Sequence, residues 1–75
     1  MKAIIEVSVS EARKASWAID DCNMISDRLI QTASNVWETE DFGWDEEDEL
    51  GQVICNVDDL LNRAGIKEFD ITKED

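Results

Sequence analysis

The chain has 75 residues, 19 of them acidic and 7 basic, with no histidine and a formal net charge of -12 at pH 7. Phosphate backbones need Lys and Arg to displace their counterions, so this charge argues against direct nucleic-acid binding. No apolar run approaches the ~18 residues that cross a bilayer, and anionic lipid heads would repel the chain, so no membrane role is expected.

Hydrophobic residues still make up 43%, three of them tryptophan. That is too apolar for a disordered acidic tail and predicts a single small acidic domain over residues 1–75. A domain this short buries only ~60% of its unfolded surface, so helix packing, a staple or self-association must support it. Nothing before Cys22 resembles a secretory leader, which points to a reducing cytoplasm and free thiols at Cys22 and Cys55.

Ala3, Ile5, Val7 and Val9 alternate with Ile4, Glu6, Ser8 and Ser10, the period of a strand over residues 2–9. Ser10 suits a helix N-cap and Glu11 the positive end of the following helix. Ala15, Ala18, Ile19, Cys22, Ile25, Leu29, Ala33 and Val36 then recur at spacings of three and four, one apolar helix face. Such a helix running to Trp37 would be ~40 Å long, a length that favours a break or bend near Asn35. Trp17, Asp20, Met24, Asp27 and Gln31 form a second stripe. A helix touching both a sheet and a partner helix needs a wide apolar surface, so Trp17 and Met24 are expected in the core; exposed together, they would instead form a partner-binding patch.

Asp45 is placed to cap a second helix, with Glu46, Glu47, Asp48 and Glu49 in its first turn. Its buried stripe is Leu50, Val53, Ile54, Val57, Leu60, Leu61 and Ala64. Arg63 and Gly65 mark its end, with Ile66 supplying the usual closing contact. Phe69 and Ile71 alternate with Glu68, Asp70 and Thr72 in a short closing strand. Cys22 and Cys55 fall on the two buried stripes, offset by roughly 7 Å along the axis at the helical rise, which disfavours a disulfide.

These elements predict an α+β fold of order β-α-α-β, mainly helical: an antiparallel helical hairpin packed on a small two-stranded antiparallel sheet in two layers. So narrow a ribbon leaves an exposed edge, a route to a homodimer.

Residues 38–49 read ETEDFGWDEEDE, eight acids and no base, with two aromatics astride Gly43. The plainest reading is a solvated loop followed by a helix turn enriched in acids for dipole reasons. It does not explain Phe42 and Trp44, which either plug the open end of the hairpin or act as aromatic anchors framed by charge. As a calcium loop beginning at Glu38, the segment puts Gly43 sixth and Glu49 twelfth, as an EF-hand requires. Phe42 then occupies an oxygen-ligand position and Asp45 an apolar one, so no metal site is expected.

The run from Asp45 to Glu49 places one acid per ~1.5 Å of helix, comparable with one charge per ~1.7 Å of duplex DNA. In size and charge the chain resembles the small acidic inhibitors that phages and mobile elements direct against nucleases, restriction enzymes and CRISPR effectors; the resemblance is compositional, without a shared motif. It implies a DNA mimic, such as an anti-restriction or anti-CRISPR protein, that masks the nucleic-acid-binding surface of a basic partner. The expected contact residues are Glu38, Glu40, Asp41, Phe42, Trp44, Asp45, Glu46, Glu47, Asp48 and Glu49. Two alternatives share the composition: a homo-oligomeric assembly domain, joined through an exposed strand edge or the Trp17 to Met24 patch and kept soluble by its acids, and a nuclease-toxin immunity protein drawn to its target by the same attraction.

Catalysis is hard to assemble without His, Tyr or a glycine-rich phosphate loop, and neither cysteine lies by a basic cluster. Glu46 and Glu49 make one E-x-x-E pair, but no second pair at that spacing stands opposite. The expectation is a binding protein without enzymatic activity or cofactor.

Overall fold

Strand β1 (Lys2–Val7) buries Ala3, Ile5 and Val7 on one face and turns Lys2, Ile4 and Glu6 to the other. In the computed structural model, which describes residues 1–74, this strand is hydrogen-bonded along both edges. It runs antiparallel to β3 (Val36–Thr39) on one side and to β4 (Phe69–Glu74) on the other. A fourth strand, β2 (Leu29–Ala33), pairs antiparallel with β3, so the sheet order is β2-β3-β1-β4.

A 3-10 turn at Val9–Glu11 leads from β1 into α1 (Ala12–Asp20), followed by the single-turn helix α2 (Asn23–Ser26). A second 3-10 turn, Trp44–Glu46, opens the long helix α3 (Glu47–Arg63). The helices cover one face of the sheet. Ala15, Ile19, Ile25, Leu50, Val53, Val57 and Leu61 from the helices share one core with Ala3, Ile5, Val7 and Trp37 from the strands. Counting α1 and α2 together, the chain order is β-α-β-β-α-β, and this strand order is that of a split βαβ arrangement. That topology supports many unrelated functions and names none.

The four-stranded sheet corrects the expected two-stranded sheet under a helical hairpin. The first helix does not continue to Trp37. It ends at Asp20, two carboxylates (Asp20 and Asp21) crowd its negative end, and Cys22 is already extended at φ -111°, ψ 92°. The residues beyond are rich in the β-branched and aromatic types that suit strands, Ile30, Thr32, Val36 and Trp37. Leu29, Ala33 and Val36 meet the spacing of a helical stripe by coincidence: Leu29 and Val36 are half-buried and Ala33 is exposed. Ser34 and Asn35 instead form a tight turn between β2 and β3. It uses no left-handed residue, so its backbone does not match the strand twist, and the irregularity between Gln31 and Ala33 absorbs the difference. Asn35 also finishes β1, its carboxamide donating to the Val7 carbonyl and its own carbonyl accepting the Val7 N–H, each at 2.9 Å.

The same break exposes the second stripe. α1 is only nine residues long and spends Ala12, Ala15 and Ile19 on the core; Trp17 and Met24, expected inside, are 68% and 69% exposed. Cys55 is exposed rather than buried and Cys22 half-buried, both as free thiols. Ser10 lies inside the first 3-10 turn and makes no capping bond. At the far end of α3, Gly65 takes φ +81°, the left-handed stop that releases the chain toward Ile66, which is buried.

The β1–β3 ladder ends at Ile4 and Glu38, yet the next N–H is not wasted. The buried Thr39 hydroxyl accepts the Ala3 N–H at 2.9 Å and donates to the Glu40 carbonyl at 2.9 Å. Thr39→Val keeps the shape but strands that buried donor, a loss of about 1–3 kcal/mol. Urea denaturation should show a lower midpoint with an unchanged slope.

Candidate functional site

The acidic segment begins inside the sheet. Glu38 lies on β3 and faces the open side, opposite Ile4. Lys2, on the same side of β1, reaches its carboxylate at 2.7 Å. That hydrogen bond first, and the charge of Glu38 second, hold the Lys2 ammonium above its usual range; Glu74 and Asp41 add to this and burial opposes it.

Beyond Thr39 the chain steps out for Glu40 and Asp41 and returns at Phe42. There Phe42 N–H donates to the Met1 carbonyl at 2.6 Å and the Met1 amino group donates to the Phe42 carbonyl at 2.7 Å. This backbone pair points the Phe42 ring inward, where it is 4% exposed and part of the core. Phe42 is therefore packed inward, the first of the two placements expected for it.

Trp44, two residues on, is 77% exposed. Gly43 makes the reversal possible. Its N–H donates to Glu46 Oε1 at 2.9 Å and its carbonyl accepts the Glu46 N–H at 3.0 Å, tying the start of the 3-10 turn into a closed ring. A Cβ at Gly43 would meet Asp45 Oδ1 at 2.9 Å and Glu46 Oε1 at 3.3 Å. The capping side chain is Glu46, not Asp45 as the sequence suggested. The exposed indole thus projects from a hydrogen-bonded turn rather than a loose loop.

Arg28, from the junction of α2 and β2, was not visible as part of this corner. Its guanidinium lies 2.9 Å from Glu49 and 3.4 Å from Glu40 and stacks 5.4 Å above the Phe42 ring. Its Nε is buried without a hydrogen-bond partner. The only signal in the sequence was a rare base beside an acid-rich neighbour, and sequence separation hid the pairing. Glu47 faces Lys73 at 3.9 Å and Asp41 faces the Met1 amino group at 3.7 Å. The segment is consequently part-neutralised from four directions, by Lys2, Arg28, Lys73 and Met1. Among the described residues, Asp45, Glu46 and Asp48 have no cation at ion-pair distance, and these three follow Trp44 in sequence.

Nor do the carboxylates converge on a cation. Glu38 is held in a strand by Lys2 and Glu49 by Arg28, and strand β3 stands where an EF-hand has its first helix. Among the described residues, no group of three or more candidate ligands is close enough to hold a metal ion. No helix among them is long and apolar enough to cross a membrane. The open sheet face is acidic as well: the register places Glu6, Glu38, Asp70 and Glu74 there with Lys2. Such a surface would repel phosphates.

The two aromatics separate cleanly in their effect on stability. Phe42→Ala should cost about 3–5 kcal/mol, whereas Trp44→Ala should fall within about 0.5 kcal/mol of the parent, both read by urea denaturation. A second expectation concerns alkaline pH. Because Lys2 is raised above 10.5 by Glu38, its contribution is fully present below the unfolded value and is lost as pH rises through the folded one. The stability difference between the parent and Lys2→Gln should therefore be constant through neutral pH and vanish at strongly alkaline pH; a difference that grows on alkalinisation would contradict the assignment.

Comparison with known protein families, curated proteins and solved structures found no match to this chain, so its function has to be read from its own geometry.

Proposed function

We propose that this chain is a non-enzymatic binding protein that docks its Trp44 corner onto a basic, nucleic-acid-handling protein and masks that partner's phosphate-binding surface. The observation that carries the reading is Trp44 itself: a large indole, 77% exposed, held on a hydrogen-bonded turn beside carboxylates without local counterions. Leaving such a ring in water gives up burial energy that core packing would recover, and rigid aromatics are the residues that most often dominate binding energy.

Charge supplies the other half. A molecule of net charge -12 steers cationic surfaces toward itself before contact. Asp45, Glu46 and Asp48 present closely spaced negative charge at the entry to α3, and they stand in for the phosphates the partner would otherwise hold. The mimicking surface is narrower than residues 38–49 as a whole, because Glu38, Glu40, Asp41, Glu47 and Glu49 face this chain's own cations.

Capture of a nucleic-acid-binding protein from the native host, followed by competition with duplex DNA, tests this reading. The DNA should displace the chain, and rising salt should weaken the complex. Trp44→Ala should cost tenfold or more in affinity, ~1.4 kcal/mol or above, chiefly through faster dissociation. Asp45→Asn with Asp48→Asn should slow association and flatten the salt dependence. A complex indifferent to DNA, to salt and to Trp44→Ala would refute the proposal.

A further inference from the structure

The two edges of the sheet are built differently. Edge strand β4 carries Asp70, Lys73 and Glu74, whereas edge strand β2 carries no charge and opens the longest uncharged run in the chain, residues 29–37. An edge presents a row of unpaired N–H and C=O groups that templates another strand, and proteins commonly blunt it with charge. β4 is blunted in this way. Antiparallel self-pairing about a two-fold at Asp70 sets that residue against itself, and about Thr72 it sets Asp70 against Glu74. About Ile71 it sets Glu68 against Glu74, and about Lys73 it sets two ammonium groups together. Like charges directly opposite destabilise a pair.

β2 meets none of these penalties. Its one protection is the irregularity between Gln31 and Ala33, which leaves residues 29–31 regular. We propose that this edge pairs with the β2 of a second copy, antiparallel about a two-fold at Ile30, joining two four-stranded sheets into one. Ile30 is 65% exposed and would meet Ile30 of the second copy on the open sheet face. Leu29 would stand opposite Gln31. No like charges face each other, so the uncharged edge is where two molecules of net charge -12 approach with least local repulsion. This pairing uses residues outside the Trp44 corner and would carry two such corners on one assembly.

Sedimentation equilibrium at rising protein concentration tests the pairing. The expected result is a mass moving from 8.5 kDa toward twice that value, more readily at high salt because screening relieves the overall repulsion. That salt dependence is opposite in sign to the one expected for a basic partner, so the two readings fail separately. Ile30→Lys should hold the mass at 8.5 kDa with an unchanged far-UV circular dichroism spectrum. Hydrogen exchange on the parent protein should show backbone amides of residues 29–33 gaining protection with concentration. A mass that stays at the monomer value in high salt, a dimer indifferent to Ile30→Lys, or protection arising along β4 instead would overturn the proposal.

Discussion

Strand β1 has partners on both edges and a layer of helices over one face, and that position constrains everything around it. Ala3, Ile5 and Val7 are sealed against α1 and α3, so the backbone between them has no water to satisfy its N–H and C=O groups and must find them in neighbouring strands. The chain meets this requirement by returning to β1 twice, as β3 before the long helix and as β4 after it. Where the ladder fails, side chains complete it: the Thr39 hydroxyl takes the Ala3 N–H, and Asn35 closes the Val7 end. The Trp44 corner is a product of the same requirement. Phe42 is drawn in to pair with Met1, Gly43 turns the chain, and the next aromatic is left outside.

Much of the molecule could be read from the residues alone. The period-2 pattern locates β1, the stripe from Leu50 to Ala64 locates α3, and Gly65 marks its end. The failure lies between Cys22 and Thr39. There Leu29, Ala33 and Val36 satisfy helical spacing while Ile30, Thr32 and Trp37 favour strands, and local periodicity has no means of choosing. The unmet hydrogen-bonding need of β1 decides it, and that need is nonlocal. For the same reason Arg28 could not be placed beside Glu40 and Glu49, nor Phe42 told apart from Trp44.

The acids consequently sort into groups with different roles. Some restrain the fold locally, as Glu46 does at Gly43 and Glu38 at Lys2. Exposed pairs such as Arg63 with Asp59 are worth at most ~1 kcal/mol. Others lie on the open sheet face and along β4, where they add to the negative potential. Among the described residues Asp45 and Asp48 face no cation, and their position next to an exposed indole is what makes the corner a docking site in the proposed reading. Net charge alone did not distinguish these groups; the pairing of each carboxylate does.

The proposed recognition of cationic surfaces at Trp44, rather than over the acidic surface at large, is directly observable through the three tryptophans. In a nitrogen-proton correlation spectrum, each indole N–H reports on its own site: Trp17 on the exposed face of α1, Trp37 in the core, Trp44 at the corner. Titration with a peptide rich in lysine and arginine should move the Trp44 indole signal together with the backbone amides of residues 44–48, while Trp37 stays fixed and Trp17 responds weakly. Equal movement of Trp17 and Trp44, or shifts spread along β4 and the open sheet face without a focus at the corner, would rule out recognition at Trp44.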